Sequence, residues 1–269
     1  MKLAVFGATG QTGRQILDQS LRRGHQVIAV ARRPEDLGPA RDGLTVVKAD
    51  LAAGTANLSQ AIAGTDAVLS ALGARGRQPT AVYSAGTRRI ADTMAAHGVA
   101  RLICVSSDGI EIPAGLPWPQ RLIVTQVIQR LYRQQYADMI RMEAYLAGSS
   151  LDWTIVRAPR LTDGPALGAT RVSLDAAILD TTGLRRADLA AWMLDALDQP
   201  DTFHRSAHLA SPRRKEQKLL TPLTAGSEAV LVEDLHQVAL ALLVHAQYRD
   251  VTPELVGRTQ CLVAGPRRE

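Results

Sequence analysis

Near its start the chain reads Leu3-Ala4-Val5-Phe6-Gly7-Ala8-Thr9-Gly10-Gln11-Thr12-Gly13, an apolar run followed by a glycine-rich segment. Leu3 to Phe6 is a short apolar run, typical of a buried strand, and an amphipathic helical stretch follows from about Arg14 to Arg23. A glycine-rich turn between a strand and a helix predicts an anion site, because free N–H groups and the helix dipole favour negative charge there.

Each glycine of the turn has a separate predicted role. Gly7 allows a tight turn, Gly10 lets the backbone approach a pyrophosphate, and Gly13 allows the helix to pack closely on the strand. The position between strand and helix makes the motif more specific than a bare glycine pattern. The alternative is a tight turn that binds no ligand. The residues predicted to bind a dinucleotide here are Gly7, Thr9, Gly10, Gln11, Thr12 and Gly13.

The rest of the chain continues the alternation of strands and helices. Strands are predicted at 26–32, 67–72, 101–107, 153–159 and 206–211, and helices near 57–63, 81–97, 120–147 and 188–197. Strands that read as continuous apolar runs are typical of a parallel sheet buried on both faces. The sequence therefore predicts an α/β protein with a Rossmann-like, doubly wound parallel sheet.

The second predicted strand ends at Arg32 and Arg33. A domain that prefers NAD usually has an acidic residue there, which holds the ribose 2′-hydroxyl. Guanidinium groups suit a 2′-phosphate instead, through bidentate charge-assisted hydrogen bonds. The pair predicts NADP (NADPH) as the cofactor, and the alternative is that both arginines are solvated surface side chains.

Several further motifs occur in an order known from one protein family. They are Gly7-Ala8-Thr9-Gly10-Gln11-Thr12-Gly13, Arg32-Arg33-Pro34, Ala49-Asp50-Leu51, Leu72-Gly73-Ala74-Arg75, Val105-Ser106-Ser107 and Leu151-Asp152-Trp153-Thr154-Ile155-Val156-Arg157-Ala158-Pro159. Over Met1 to Ser211 the chain resembles the atypical short-chain dehydrogenase/reductases. The resemblance is to the NAD(P)H-binding branch that includes NmrA-like proteins and the flavin reductase/biliverdin reductase B type.

The resemblance implies further cofactor contacts, at positions that follow strands. It implies that Asp50 and Leu51 lie at the adenine, and that Ser107 faces the nicotinamide. For Asp50 a helix cap or a turn is the alternative role. The residues implied along the inner half of the cofactor are Ala71, Leu72, Gly73 and Arg75. These positions agree with the rule that open α/β sheets bind ligands outside the carboxyl ends of their strands.

The catalytic pair of ordinary short-chain dehydrogenases is absent from the sequence. That pair is a tyrosine followed four residues later by a lysine, which lowers the pKa of the phenol. No tyrosine here has a lysine at that spacing, because the lysines are Lys2, Lys48, Lys215 and Lys218. The sequence thus predicts a different kind of catalytic site. Tyr136, near Arg141, is a candidate substitute for the tyrosine–lysine pair, although arginine does not exchange its proton near neutral pH.

Ser106 and Ser107 are the other catalytic candidates, with Ser107 preferred. A hydroxyl at the end of the fifth predicted strand is placed to hydrogen-bond a carbonyl or the cofactor. Asp108 is a candidate proton-transfer group or a turn residue before Gly109. Glu143 is expected to form a structural ion pair, with Arg157 as the candidate partner.

The character of the chain changes after the last predicted strand. Residues 211–218 are strongly charged and are typical of a solvated linker, whereas residues 228–248 have the broad apolar face of a helix. We predict an NAD(P)-binding Rossmann domain at 1–211 and a partly helical C-terminal extension at 212–269. The extension covers the substrate cleft, forms a homodimer or does neither.

Composition narrows the classes of partner. The net charge is +5 and the pI is near 9.5, but the arginines are spread along the chain, so no nucleic-acid partner is expected. The two cysteines form no CxxC motif and the six histidines show no close metal spacing, so no metal is expected. No apolar stretch approaches the ~20 residues of a membrane span and no signal peptide is recognised, which predicts a cytoplasmic protein without membrane contact.

Three functions remain open from the sequence. The first is an NADPH-dependent oxidoreductase that reduces a small conjugated or aromatic acceptor, such as a flavin, quinone or carbonyl compound. Such acceptors are compatible with a site that lacks the tyrosine–lysine pair, because the cofactor supplies the chemistry. The alternatives are a non-catalytic NmrA-like NADP-binding regulator and a redox-neutral isomerase or epimerase.

Overall fold

The computed structural model describes residues 1–51, 58–74, 79–112, 124–181 and 183–213, together with positions 115, 118 and 122. Arg75 lies outside the described residues. So do the predicted linker from residue 214 onward and the predicted helix at 228–248. The predicted division into a domain at 1–211 and an extension at 212–269 therefore stays a prediction.

The described chain has an α/β fold, in which helices cover both faces of a mostly parallel sheet. The strands are β1 (Lys2–Phe6), β2 (Gln26–Ala31), β3 (Leu44–Lys48), β4 (Ala67–Ser70), β5 (Arg101–Ser107), β6 (Asp152–Ala158), β7 (Leu161–Thr162), β8 (Arg171–Leu174), β9 (Leu184–Arg185) and β10 (Arg205–Ala210). The helices are α1 (Gln11–Arg22), α2 (Leu58–Ile62), α3 (Ser84–Ala96), α4 (Gln129–Leu131), α5 (Arg133–Ala147) and α6 (Arg186–Asp195). The predicted Rossmann-like fold is confirmed.

Eight strands make one sheet, in the order β3-β2-β1-β4-β5-β6-β10-β8. All neighbours pair in parallel except β10 and β8, which pair antiparallel. A separate parallel pair consists of β7 and β9. The strand order reverses direction between β1 and β4, and ligands of open α/β sheets bind in the crevice at such a reversal.

Alternation along each strand divides the core between the two faces of the sheet. Leu3 and Val5 pack with apolar residues of α1 and α6 on one face, while Ala4 and Phe6 pack with those of α2, α3 and α5 on the other. All four side chains are essentially buried. Burial on both faces explains why β1 is continuously apolar rather than alternating.

Two parts of the fold differ from the sequence prediction. The edge strands β3 and β8 were not predicted, because their exposed residues interrupt the apolar pattern. The helix predicted at 120–147 is present at Arg133–Ala147, but its described part is not one continuous α-helix. A π-helical turn at Val124–Ile128 leads into α4, and Tyr132 has non-helical backbone angles before α5 begins. A π-helical turn has more residues than an α-helical turn, so the apolar face shifts and no longer follows the period of a regular α-helix.

Candidate functional site

A cleft of about 990 Å³ lies at the carboxyl ends of the parallel strands. Its walls come from the glycine turn after β1 and from the segments that follow β2, β3, β4, β5 and β6. Ligand clefts for small molecules and cofactors commonly reach this size. The fold thus brings the predicted glycine turn and the predicted catalytic serines to one crevice.

Two positions of the turn, Gly7 and Gly13, have no room for a side chain. Gly7 has a positive φ of +74°, and a Cβ atom there would lie 2.3 Å from the carbonyl oxygen of Ala71. A Cβ atom at Gly13 would lie 2.1 Å from the carbonyl oxygen of Gly7, so α1 packs directly on the turn. Both contacts are far shorter than atoms tolerate. The predicted roles of Gly7 in turning and Gly13 in close packing follow from this geometry.

The N-terminus of α1 opens into the cleft without competition from the protein. Gly10 is the N-cap residue, no side chain caps the helix there, and the first turn contains no acidic residue. Thr9, Gln11 and Thr12 line the cleft beside it. Uncapped N–H groups and an unopposed helix dipole suit a phosphate group. The residues present therefore fit the pyrophosphate of a dinucleotide.

The arginines after β2 have different surroundings. Arg32 lines the cleft, whereas Arg33 forms an ion pair with Asp36 at 2.9 Å and is not among the lining residues. Asp50 and Leu51, which follow β3, line the same end of the cleft. Of the predicted pair, the geometry leaves Arg32 as the one at the cleft.

The inner wall follows β4. It contains the predicted residues Ala71, Leu72 and Gly73, and the hydroxyl of Tyr83 accepts a hydrogen bond from the backbone N–H of Ala74 at 3.1 Å. Asp138, which is fully buried on α5, accepts a hydrogen bond from the backbone N–H of Tyr83 at 2.9 Å and one from the Ser84 hydroxyl. Asp138 thereby fixes the start of α3 against the cleft.

Ser107 and Tyr136 meet at the end of β5. Ser107 lines the cleft and its hydroxyl oxygen accepts a hydrogen bond from the backbone N–H of Gly109 at 3.2 Å, while the Tyr136 phenol lies against Gly109, beside the Ser107 hydroxyl. Burial raises the pKa of the Tyr136 phenol, and the hydrogen bond to Ser107 only partly opposes this. Four residues after Tyr136 stands Ile140, half exposed. The phenol is therefore a neutral hydrogen-bonding group rather than an activated acid.

Ser106 takes part in a different network. Its hydroxyl donates to Glu143 Oε1 at 2.5 Å, and Glu143 forms the expected ion pair with Arg157 at 2.7 Å. Arg157 also pairs with Glu111 at 2.8 Å. Burial lowers the pKa of Arg157, but the two carboxylates outweigh burial and raise it overall. Because its hydroxyl is held by this network, Ser106 is less available to a ligand than Ser107.

A buried histidine lies beside the same turn and was not predicted. His208 on β10 places its Nδ1 2.7 Å from Asp108 Oδ1, and the His208 side chain is 4% exposed. Asp108 begins the 3₁₀ turn that follows Ser107. The pairing anchors the turn to β10. Sequence spacing carried no signal for it, because the two residues are 100 positions apart.

Two arginines of the cleft were also missed. Arg89 on α3 and Arg186 at the start of α6 line it together with Arg32, against a single lining acid, Asp50. Among the described lining residues, cations thus outnumber anions, which favours a polyanionic ligand such as a dinucleotide. Arg89 follows Gly86 at helical spacing, but only the packing of α3 shows which of its faces borders the cleft.

Comparison with known proteins identifies the family of the chain. A family model described as NAD(P)H-binding matches residues 7–200. An uncharacterised chloroplastic protein of Arabidopsis thaliana is 31% identical over 175 residues, which are 62% of this chain and 61% of that protein. Less than two thirds of that relative's length is thus matched. The oxidoreductase stcQ of Emericella nidulans is 30% identical over 226 residues, covering 74% of this chain and 77% of that protein.

Solved structures share the fold. A short-chain dehydrogenase/reductase from Veillonella parvula, determined in complex with NADP, superposes with a TM-score of 0.67. It covers 78% of this chain and 94% of its own length, at 16% sequence identity. At that identity the likeness concerns the fold. No described helix of the present chain is long and apolar enough to cross a membrane.

Proposed function

We propose that this chain, which belongs to the NAD(P)H-binding family, is an NADPH-dependent reductase of a small conjugated or aromatic acceptor. The observation that carries the proposal is the shared cleft, which the glycine turn and Ser107 both line, with the Tyr136 phenol beside the Ser107 turn. A regulator needs only the first of these features. Ser107 would supply a hydroxyl group where an acceptor would meet the nicotinamide.

The cofactor would be held at three places. Gly10 and the uncapped start of α1 would bind the pyrophosphate, Asp50 and Leu51 would border the adenine, and Arg32 would bind the 2′-phosphate. Ala71, Leu72 and Gly73 would line its inner half. When bound, the nicotinamide supplies a hydride. The chain itself would bind and orient the cofactor and the acceptor.

Ser107 would orient the acceptor. Its hydroxyl is placed to donate a hydrogen bond to a carbonyl oxygen or a ring heteroatom, while Tyr136 holds the Ser107 hydroxyl in position. Because burial raises the pKa of Tyr136, Ser107 and Tyr136 would orient the acceptor but supply little acid catalysis. That limitation favours electron-poor conjugated acceptors, and a proton from water completes the reduction.

The first test is binding followed by turnover. NADPH and NADH are titrated by fluorescence, and NADPH oxidation is then measured with FMN, menadione and a panel of carbonyl compounds. We expect NADPH binding and oxidation with at least one acceptor. Binding without oxidation would favour the regulator, retention of cofactor without net oxidation would favour the isomerase or epimerase, and no binding would overturn the cofactor assignment.

Cofactor preference is tested by a matched pair of variants. Arg32→Ala is expected to weaken NADPH binding about tenfold or more and to leave NADH binding nearly unchanged, because a hydrogen bond to a charged group contributes about 1.5–3 kcal/mol. Arg33→Ala removes the same charge but breaks only the ion pair with Asp36. A larger effect of Arg33→Ala than of Arg32→Ala on NADPH binding would contradict the assignment.

A further inference from the structure

Arg186 is a charged residue of the cleft to which the proposed function gives no role. It is the first residue of α6, and it borders the cleft together with Gln11 and Thr12 of α1. Helices α1 and α6 are joined by a hydrogen bond from Gln19 Nε2 to the carbonyl oxygen of Ala187 at 2.8 Å. The start of α6 is thereby held against α1, whose first turn lines the same cleft as Arg186.

The ion pair of Arg186 is open to exchange. Its Nη1 lies 2.8 Å from Asp163 Oδ1, but the Asp163 side chain is 70% exposed while that of Arg186 is 18% exposed. An ion pair with a solvated carboxylate contributes little to stability. An anion bound in the cleft can therefore replace Asp163 at a small cost in free energy.

The segment that carries Asp163 has other anchors. Arg185 donates a hydrogen bond to the backbone oxygen of Asp163. The buried carboxylate of Asp188 accepts the backbone N–H groups of Leu167, at 2.9 Å, and of Gly168, at 3.1 Å. The Asp163 carboxylate is thus not needed to hold this segment on α6, and its exchange leaves the wall of the cleft in place.

Helix stability does not explain a cation at this position. Positive charge in the first turn of a helix opposes the dipole rather than complementing it. Arg186 also lines a cleft that contains two other arginines and one aspartate among its described residues. A guanidinium that is unfavourable for its own helix and borders a cationic cleft is suited to a ligand that brings negative charge.

We propose that Arg186 binds an anionic group of a ligand in the cleft, and that this group replaces the Asp163 carboxylate as the ion-pair partner of Arg186. The inference rests on the proposed function. Two sources share this chemistry, namely the pyrophosphate of the dinucleotide and a carboxylate on the acceptor. A guanidinium matches both groups, through two parallel hydrogen bonds.

The test measures dissociation constants of the full-length protein for NADPH alone, by fluorescence, in the wild type and in Arg186→Gln, Arg186→Lys and Asp163→Asn. If the pyrophosphate is the source, Arg186→Gln weakens binding about tenfold or more, and Arg186→Lys weakens it less because the charge remains. Asp163→Asn then tightens binding, because it removes the competing carboxylate. Arg22→Gln, an exposed arginine outside this cleft, is the charge-matched control and leaves binding unchanged.

A second measurement separates the sources. If the acceptor is the source, Arg186→Gln leaves NADPH binding unchanged and raises KM for a carboxylate-bearing quinone but not for menadione. Unchanged NADPH binding together with unchanged KM for both quinones would overturn the inference. A wild-type protein that does not bind NADPH would instead overturn the proposed function. Thermal melting verifies folding, and Arg186→Lys serves as the test variant if Arg186→Gln is unstable.

Discussion

At the scale of single residues, Gly109 controls the position of the Tyr136 phenol. A Cβ atom at Gly109 would lie 2.3 Å from Tyr136 Oη, and the φ of Gly109 is one that other residues adopt. Glycine is therefore required at this position because the Tyr136 phenol lies so close, and not because of the backbone conformation of Gly109. Substitution here moves the phenol away from Ser107 with little effect on the surrounding fold.

We expect Gly109→Ala to lower the kcat for NADPH oxidation about three- to tenfold, because a neutral hydrogen bond contributes about 0.5–1.5 kcal/mol. Tyr136→Phe should lower kcat by a similar factor. Since both changes act on one contact, the double variant should be no slower than the slower single variant. Additive losses, measured in the steady state, would show that Gly109 and Tyr136 act independently.

At the scale of secondary-structure elements, Arg101 joins β5 to the end of α6 at the edge of the sheet opposite the cleft. Its guanidinium donates to the carbonyl oxygens of Ala196, at 2.6 Å, and Leu197, at 3.1 Å, and lies 4.3 Å from the ring centroid of Phe203. Burial lowers the pKa of Arg101 to about 10, so the group remains charged at neutral pH.

Arg101→Met is expected to lower the free energy of unfolding by about 2–5 kcal/mol, because buried carbonyl oxygens lose their donors. Urea denaturation measures this loss. The dissociation constant for NADPH should stay close to that of the wild type, because Arg101 lies at the opposite edge of the sheet. Stability equal to the wild type would show that these carbonyl groups find other donors, and Arg101→Lys, which keeps the charge, should lose less.

At the scale of the whole molecule, the described sheet is complete at β10. This strand pairs with β6 and β8, and Arg171 donates to the carbonyl oxygen of Ser211 at 3.1 Å just beyond it. This last described strand ends at Ala210, and the predicted domain boundary at residue 211 stays a prediction.

We expect a chain that ends at Arg213 to unfold cooperatively and to bind NADPH within about twofold of the full-length protein, because this truncation keeps every described strand. A chain that ends at Thr202 lacks β10 and should not fold. Circular dichroism and fluorescence titration test both chains. Loss of folding or of NADPH binding on truncation at Arg213 would show that the predicted extension belongs to the domain or to its site.

Local order along the chain determined the fold class and the central part of the candidate site. A buried parallel strand must be apolar on both faces, and a turn as tight as that at Gly7 excludes side chains, so both leave a mark in consecutive residues. The same reasoning led to Ser107, because residues that end parallel strands meet at one edge of the sheet.

The contacts between polar groups at the carboxyl ends of the strands could be seen in the tertiary structure but not in the sequence. The tertiary structure separated Arg32 from Arg33, tied Ser106 to Glu143, paired Asp108 with His208, and brought Arg186 to the cleft that the first turn of α1 also lines. Such contacts join residues far apart in sequence, whose side-chain directions depend on how helices pack on the sheet. Periodicity records which face of an element is buried, but it does not record which partner that face meets.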